Sequence, residues 1–408
     1  MAEVLVVADD LTGSNATGAL FARRGLRAVT VSEVAHARRH AAAADVIVVN
    51  TQTRHAAAAA ARAAVTAAID ALPGARLVVK RVDTTLRGNV GAELEAALAA
   101  VRRKDPETRA LFVPAFPAAG RTTVGGIHLV DGIPVAETEA ARDPFTPVTT
   151  SRVATLLGGQ TRLRTAEIAL DVVQAGPDAL ARALAAAADI AADILICDAV
   201  TAAHLNTLAG AAAAAGRWLA VDSGPFGAAL AAAQGIGGTP EPVIVIAGSV
   251  TDRTRAQLAE TEQVLGARYV DVTPADLDPA TLHGRLAALL GDVGVAGIRM
   301  LSRPMDATLA TEIPRVFGEV ARRILGSHRV GGVYATGGDV SVALVAALGA
   351  DGFAVETEVQ PLAVAGRLVG GPHEGLPFAA KGGLIGDARA AVDCVEHLRL
   401  VTVREGKA

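Results

Sequence analysis

The sequence predicts an α/β protein of two domains, each a mainly parallel sheet flanked by helices, with an active-site cleft between the domains. Three observations carry this. Short apolar runs alternate with helical segments through both halves of the chain, nearly every run in the first half ends in polar residues, and one Gly/Pro-rich stretch, Ala233 to Pro242, divides the two halves. At 408 residues the chain also exceeds the roughly 250–300 residues at which a single core stops growing. The division expected is residues 1–235 and 242–408.

In the first half, strands are expected at Val4 to Val7, Val46 to Val49, Leu77 to Val79, Ala110 to Val113, Ile194 to Cys197 and Leu219 to Val221. Continuous apolar runs of this length suit strands covered on both faces. Ala56 to Ala61, Ala183 to Ala188 and Ala211 to Ala215 read as helices. The strands end in Asp9-Asp10, Asn50 to Arg54, Lys80 to Thr85, Asp198 and Asp222-Ser223. Ligands gather outside the carboxyl ends of such strands, so a common polar rim implies a ligand site. The second half repeats the alternation at Val243 to Ile246, Ala267 to Val272, Gly297 to Leu301 and Gly332 to Ala335.

Composition narrows the partners. A net charge of −4 gives no electrostatic footprint for nucleic acid or an anionic membrane. The positive mean hydropathy of +0.38 comes largely from alanine, and Asp or Arg interrupts every candidate span before ~18 uncharged residues accumulate. The amino terminus enters a strand directly, with no signal-peptide pattern. Cys197 and Cys394 stand far apart and in no metal spacing, which suits a reducing cytoplasm. Partners expected are small molecules; a homodimer is left open.

The junction Ala8-Asp9-Asp10-Leu11-Thr12-Gly13-Ser14-Asn15 has two readings. Asp9 or Asp10 serves as a general base or metal ligand, or Asp10 or Thr12 caps a helix expected from Ala16 to Arg23. Lys80 to Asn89 places three cations, one acid and two threonines just past a buried strand, which suits an anionic polyol. Arg87 can hold a carboxylate through two parallel hydrogen bonds, Lys80 supplies a point charge, and Asp83 and Asn89 can sort hydroxyls. Pro114 to Gly126 reads as a long turn in which Arg121 again sits beside hydroxyls, and Ala141 to Phe145 reads as a turn able to close over the site.

In the second half, Gly248-Ser249 and Gly337-Gly338-Asp339 each follow a strand and open a helix, where backbone amides can meet a phosphate. Gly370 to Gly375 and Lys381 to Gly386 form a third glycine-rich piece, with His373 the histidine of most interest. The chain has neither a P-loop nor a strict dinucleotide fingerprint.

Taken in order, residues 8–15, 80–94, 114–126, 247–254, 336–341 and 381–386 resemble the motifs of the four-carbon acid sugar kinase family. The resemblance covers essentially the whole chain. It implies a kinase that uses ATP and Mg²⁺ to phosphorylate the terminal hydroxyl of threonate, erythronate or an oxo-tetronate, the amino-terminal domain binding the acid and the carboxy-terminal domain the nucleotide. It assigns Asp9, Asp10, Lys80, Asp83, Arg87 and Arg121 to the substrate side, Asp9 or Asp10 acting as base. Ser249, Gly337, Gly338, Asp339 and Gly383 go to ATP. Val340, Leu384-Ile385 and Pro361-Leu362 depart from the family pattern. Those departures prompt an alternative, a sugar-acid sensor without turnover; a nicotinamide-dependent sugar-acid dehydrogenase is a second.

Overall fold

All five side chains of the strand Val4–Ala8 are buried, and the first four divide by turns between two cores. Leu5 and Val7 join Ile47 and Val49 in one core, while Val4 and Val6 join Val46 and Val48 in the other. A period of two with apolar residues on both faces is the mark of a strand sandwiched between helices. Helices Ala58–Ala71 and Val90–Arg102 cover one face through Val65 and Leu94. Helices Leu11–Ala22, Ala202–Ala215 and Pro225–Ala233 cover the other through Phe21, Leu205 and Phe226.

The computed structural model describes residues 2–237, 241–291, 293–301 and 307–405. The chain forms two compact units, Met1–Thr239 and Pro240–Ala408. Gly238, Thr239 and Pro240 of the expected linker lie outside the described residues, as do the extreme ends of the expected domains at Met1 and 406–408. Among the described residues no helix is long and apolar enough to cross a membrane.

Among the described residues the first unit holds eight parallel strands in the order Ala28–Val31, Val46–Asn50, Val4–Ala8, Leu77–Arg81, Trp218–Asp222, Arg109–Val113, Ile194–Cys197, Thr165–Ile168. From Val4–Ala8 the chain runs out to one edge, then returns to place Leu77–Arg81 on the other side. The order therefore reverses between these two strands, which makes their carboxyl ends a topological switch point. The outermost strands, Ala28–Val31 and Thr165–Ile168, have half-exposed side chains and lack the apolar run that marks the others.

Two expectations need correcting. The helix after Asp10 starts at Leu11, not Ala16, because Asp10 caps it. The long turn at Pro114 to Gly126 instead folds into an antiparallel sheet of Arg121–Val124, Ile127–Val130 and Ile133–Pro134. Its tight turn, Gly125-Gly126, has φ of 59° and 72°, values that glycine adopts freely. Asp198 takes both turn amides, at 2.6 and 3.0 Å.

Among its described residues the second unit has five parallel strands in the order Arg268–Val272, Val295–Met300, Val243–Ala247, Gly332–Thr336, Pro377–Lys381, extended antiparallel by Ala363–Val369 and Gly352–Gln360. Here too the order reverses, between Val243–Ala247 and Gly332–Thr336.

Asp222 closes the central strand Trp218–Asp222 with no exposed surface. Its Oδ2 accepts the Gly227 amide of the following helix at 2.8 Å. Burial pushes its carboxyl from 3.8 up to about 6, against the opposing pull of nearby amides and Arg81. The folded state thus keeps this proton longer than the unfolded chain, so the group costs stability increasingly as pH rises from about 4 to about 6. Asp222→Asn should remove the cost. The variant's stability relative to wild type should improve by about 2–3 kcal/mol between pH 4 and pH 7, measured by urea unfolding with the fluorescence of Trp218, the sole tryptophan; a pH-independent difference would contradict it.

Candidate active site

At the switch point of the first unit, Asp10 accepts the Gly13 amide at 3.0 Å and caps helix Leu11–Ala22. Gly13 therefore falls in the first helical turn, where a Cβ would collide with the guanidinium of Arg81. The missing side chain seats Arg81 on the helix start. From there Arg81 Nη1 reaches Asp10 Oδ1 at 3.0 Å and Asp9 Oδ1 at 3.4 Å. Arg54, delivered by the loop after Val46–Asn50, grips Asp9 with two bonds, Nε to Oδ2 at 2.8 Å and Nη2 to Oδ1 at 3.1 Å. The same Nη2 lies 2.8 Å from Asp10 Oδ1 and 3.3 Å from Asp83 Oδ1. Burial works against its charge, but bonding to Asp9 and the fields of Asp83 and Asp10 outweigh it and hold the guanidinium above its ordinary range.

Asp83 accepts Arg87 Nε at 2.8 Å, Arg87 Nη2 at 3.1 Å and the Thr85 hydroxyl at 2.5 Å. Burial alone would raise its carboxyl; Arg87, Arg54 and Thr85 reverse this and hold it well below the usual carboxylate range. The third nitrogen of Arg87, Nη1, bonds Asp143 Oδ2 at 3.2 Å. The Asp143 carboxyl is held at about 2, first by the Thr146 and Phe145 amides and then by Arg87. Next to Arg54, the His55 ring packs on Phe145 with centroids 4.8 Å apart.

Lys80, expected on the substrate side, lies beneath this rim instead. Its side chain is fully buried and its Nζ meets Glu93 Oε2 at 2.7 Å, Arg81 O at 2.6 Å and Val7 O at 3.4 Å. An ammonium has three donors, and these partners use them all. Glu93 also accepts the Thr53 hydroxyl at 2.5 Å. The pair thus ties together the ends of the three strands that carry Asp9, Arg54 and Arg81. Asn89 likewise acts from below, donating to Thr53 O and Ala56 O at 3.0 and 2.8 Å.

Arg121 stands on the antiparallel sheet, bonded to Ala119 O and 4.0 Å from Asp131. That sheet docks against the rim through His128, a fully buried side chain that bridges Thr84 O at 3.0 Å and the Thr123 hydroxyl at 3.1 Å. Burial, aided by Arg121, lowers the imidazole below its ordinary value.

In the second unit, three neighbouring strands end side by side in Gly248-Ser249, Gly337-Gly338 and Gly382-Gly383. Thr254 donates to Ser249 Oγ at 2.9 Å, and Thr251 to Gly383 O at 2.7 Å. A Cβ on Gly383 would collide with Ser249, and Gly337 has a φ of 112°. Helix Gly338–Ala347 starts at Gly337 with no side-chain cap, which leaves its first amides available to an anion. Exposed Asp339 lies in that first turn. Burial, with help from Arg253, pushes the Lys381 ammonium down to about 8; its Nζ rests on Gly382 O at 3.0 Å. Gly370 to Gly375 and His373 are not part of this cluster. They precede Pro377–Lys381 and so lie at the opposite end of the strand from Gly382-Gly383.

One unit thus carries a carboxylate–guanidinium rim at the end of its parallel sheet and the other a row of open glycine turns, and the named relatives of the chain are phosphotransferases that act on an alcohol group. Residues 4–230 match a sugar-binding N-terminal domain family, and residues 244–391 a nucleotide-binding C-terminal domain family. The chain is 37% identical to the D-erythronate kinase of Heliobacterium modesticaldum, over 98% of this chain and 97% of that one. It is 33% identical to the D-threonate kinase of Salmonella typhimurium, over 97% and 98%. A crystal structure from Bordetella bronchiseptica, a domain of unknown function with bound citrate in a domain-swapped dimer, matches with a TM-score of 0.68 at 34% identity over 97% and 98% of the two chains. The chain belongs to the four-carbon acid sugar kinase family.

The buried Lys80–Glu93 pair predicts an asymmetry between variants. Glu93→Leu alone strands a buried ammonium and should cost about 3–5 kcal/mol, whereas Lys80→Met with Glu93→Leu should recover most of it. Urea unfolding followed by Trp218 fluorescence decides; an equal loss in single and double variants would show that the stranded charge is not the cause.

Proposed function

We infer that this protein is an ATP-dependent kinase that phosphorylates the terminal hydroxyl of a four-carbon sugar acid: threonate, erythronate or an oxo-tetronate. The acid is taken by the first unit and the nucleotide by the second. The observation that carries the reading is the rim at the first switch point, where Asp9, Asp10 and Asp83 are held by Arg54, Arg81 and Arg87. Such a set offers cations to a carboxylate and acceptors to hydroxyls. Arg87 and Arg121 anchor the carboxylate, Asp83 receives a hydroxyl, and Lys80 acts from beneath by fixing the strand ends.

Asp10 is the residue that accepts the proton of the reacting hydroxyl. Its side chain is 24% exposed against 5% for Asp9. Its bonds to Gly13, Arg81 and Arg54 all fall on Oδ1, which leaves Oδ2 for substrate. In a loose transition state the carboxylate mainly orients the nucleophile and need not be a strong base.

Ser249 and the amides of Gly337, Gly338 and Gly383 cradle the phosphates, and the Lys381 ammonium adds positive charge. Among the described residues no group of three or more acids, histidines or cysteines is set to hold a metal. Mg²⁺ that takes most of its ligands from phosphate and water needs only one carboxylate, and Asp339, in the first turn of helix Gly338–Ala347, supplies it. When bound, the ion spreads the charge on the transferring group. Two buried free cysteines suit a cytoplasmic setting.

Asp10→Asn keeps a side-chain oxygen for the helix cap and removes only the carboxylate. Its kcat should fall about 10²–10⁴-fold with the fold intact, read as ADP release with Mg-ATP and a panel of threonate, erythronate and oxo-tetronate stereoisomers. Turnover close to wild type would reassign the base. Absence of any new phosphoacid from the wild-type protein across the panel would overturn the kinase reading.

A further inference from the structure

Arg87 already spends two of its three nitrogens on Asp83, and the third on Asp143. An incoming carboxylate therefore finds on this guanidinium no edge with both nitrogens unengaged. Charge points the same way. The rim sets Asp9, Asp10, Asp83 and Asp143 against Arg54, Arg81 and Arg87, one more carboxylate than guanidinium, so each of these guanidiniums already has an acidic partner.

The four acids are not equivalent. Asp9, Asp10 and Asp83 stand on strand ends or a helix cap and each meets two or three arginine contacts. Asp143 touches the rim through a single bond and stands on a segment, residues 143–150, without regular structure. Its Oδ1 serves the local turn by accepting the Phe145 and Thr146 amides at 3.0 and 2.9 Å. Only Oδ2 reaches Arg87. Two residues on, Phe145 is 72% exposed and rests on His55, which neighbours Arg54.

We propose that Asp143 is an affinity- and specificity-setting residue, an internal carboxylate that occupies the substrate-carboxylate position on Arg87 Nη1 and is exchanged for the carboxylate of the sugar acid on binding. The exchange replaces one anionic acceptor with another, so the rim keeps both its charge and the hydrogen bond of Arg87. A neutral sugar cannot make that exchange without leaving Arg87 Nη1 short of an anionic partner, so the latch discriminates acids from their aldose and alditol counterparts. The proposal rests on the reading of Arg87 as a carboxylate anchor.

The test is calorimetric titration of D-erythronate and D-threonate into wild type, Asp143→Asn, Phe145→Ala and Arg87→Ala. Asparagine keeps the turn through its own Oδ1 and removes the competing charge. D143N should bind the better of the two acids about tenfold more tightly, the equivalent of one charge-assisted hydrogen bond no longer lost. F145A, which frees the strap from His55, should shift affinity in the same direction by less. Weaker or unchanged binding by D143N overturns the latch and makes Asp143 a support for Arg87 instead. If R87A binds both acids as wild type does, the anchor reading itself fails, a result separable from failure of the latch. Absence of binding by all four proteins would remove both.

Discussion

A single guanidinium, that of Arg54, makes the rim of the first unit possible. Asp9, Asp10 and Asp83 come from two different strand ends yet share one cation at 2.8 to 3.3 Å, and three carboxylates so close would repel one another without it. Arg54 is itself placed by its surroundings. Gly88, with a φ of 93°, has no side chain to strike the Arg54 backbone. Thr53, one residue earlier, is held by Glu93 and Asn89. The geometry above the sheet is thus inherited from a buried ion pair below it, which is a reason for the chain to keep a fully desolvated Lys80 where an apolar side chain would pack as well.

Much of this was legible in the sequence, and the gaps have a common cause. Apolar runs mark six of the eight strands of the first unit, and the polar residues that follow them do lie along one edge. Edge strands such as Ala28–Val31, half-exposed and short, carry no such run. Residue types at Asp9, Asp10, Asp83 and Arg87 announce polar chemistry, but partnership does not show in a linear chain. Arg54, Glu93 and Asp143 are separated from their partners by 45, 13 and 56 positions in order of mention, and only the parallel crossovers bring them together. Lys80 misleads for a related reason. A lysine after three apolar residues looks like a rim cation, yet strand alternation turns it down toward helix Val90–Arg102 and Glu93.

The departures from the family pattern in the second unit are backbone matters. Val340 is 3% exposed and packs in the core beneath Gly248, where any Cβ would strike it; its side chain lines the support of the glycine turns. Leu362 turns the chain between Gln360 and Ala363 with a φ of 63° and is itself 67% exposed. A glycine would suit that angle better, and the turn leads into Ala363, which pairs with Lys381 at the strand end that runs into Gly382-Gly383. Leu384, 71% exposed, follows Gly383 directly, so the turn it belongs to presents an apolar group to solvent.

The last strand of the first sheet to be synthesised, Trp218–Asp222, lies in the middle, between Leu77–Arg81 and Arg109–Val113. Those two strands do not pair with each other, so a growing chain that has released about its first two hundred residues holds two half-sheets and still lacks the strand that joins them. The central slot stays open until residue 222 has left the ribosome. Pairings this distant in sequence form slowly, and a gap with unpaired strand edges on both sides invites the wrong strand. For this chain the hazardous interval of folding is therefore written into strand order: it begins when Arg109–Val113 emerges and closes only with the insertion of the strand that carries the sole tryptophan.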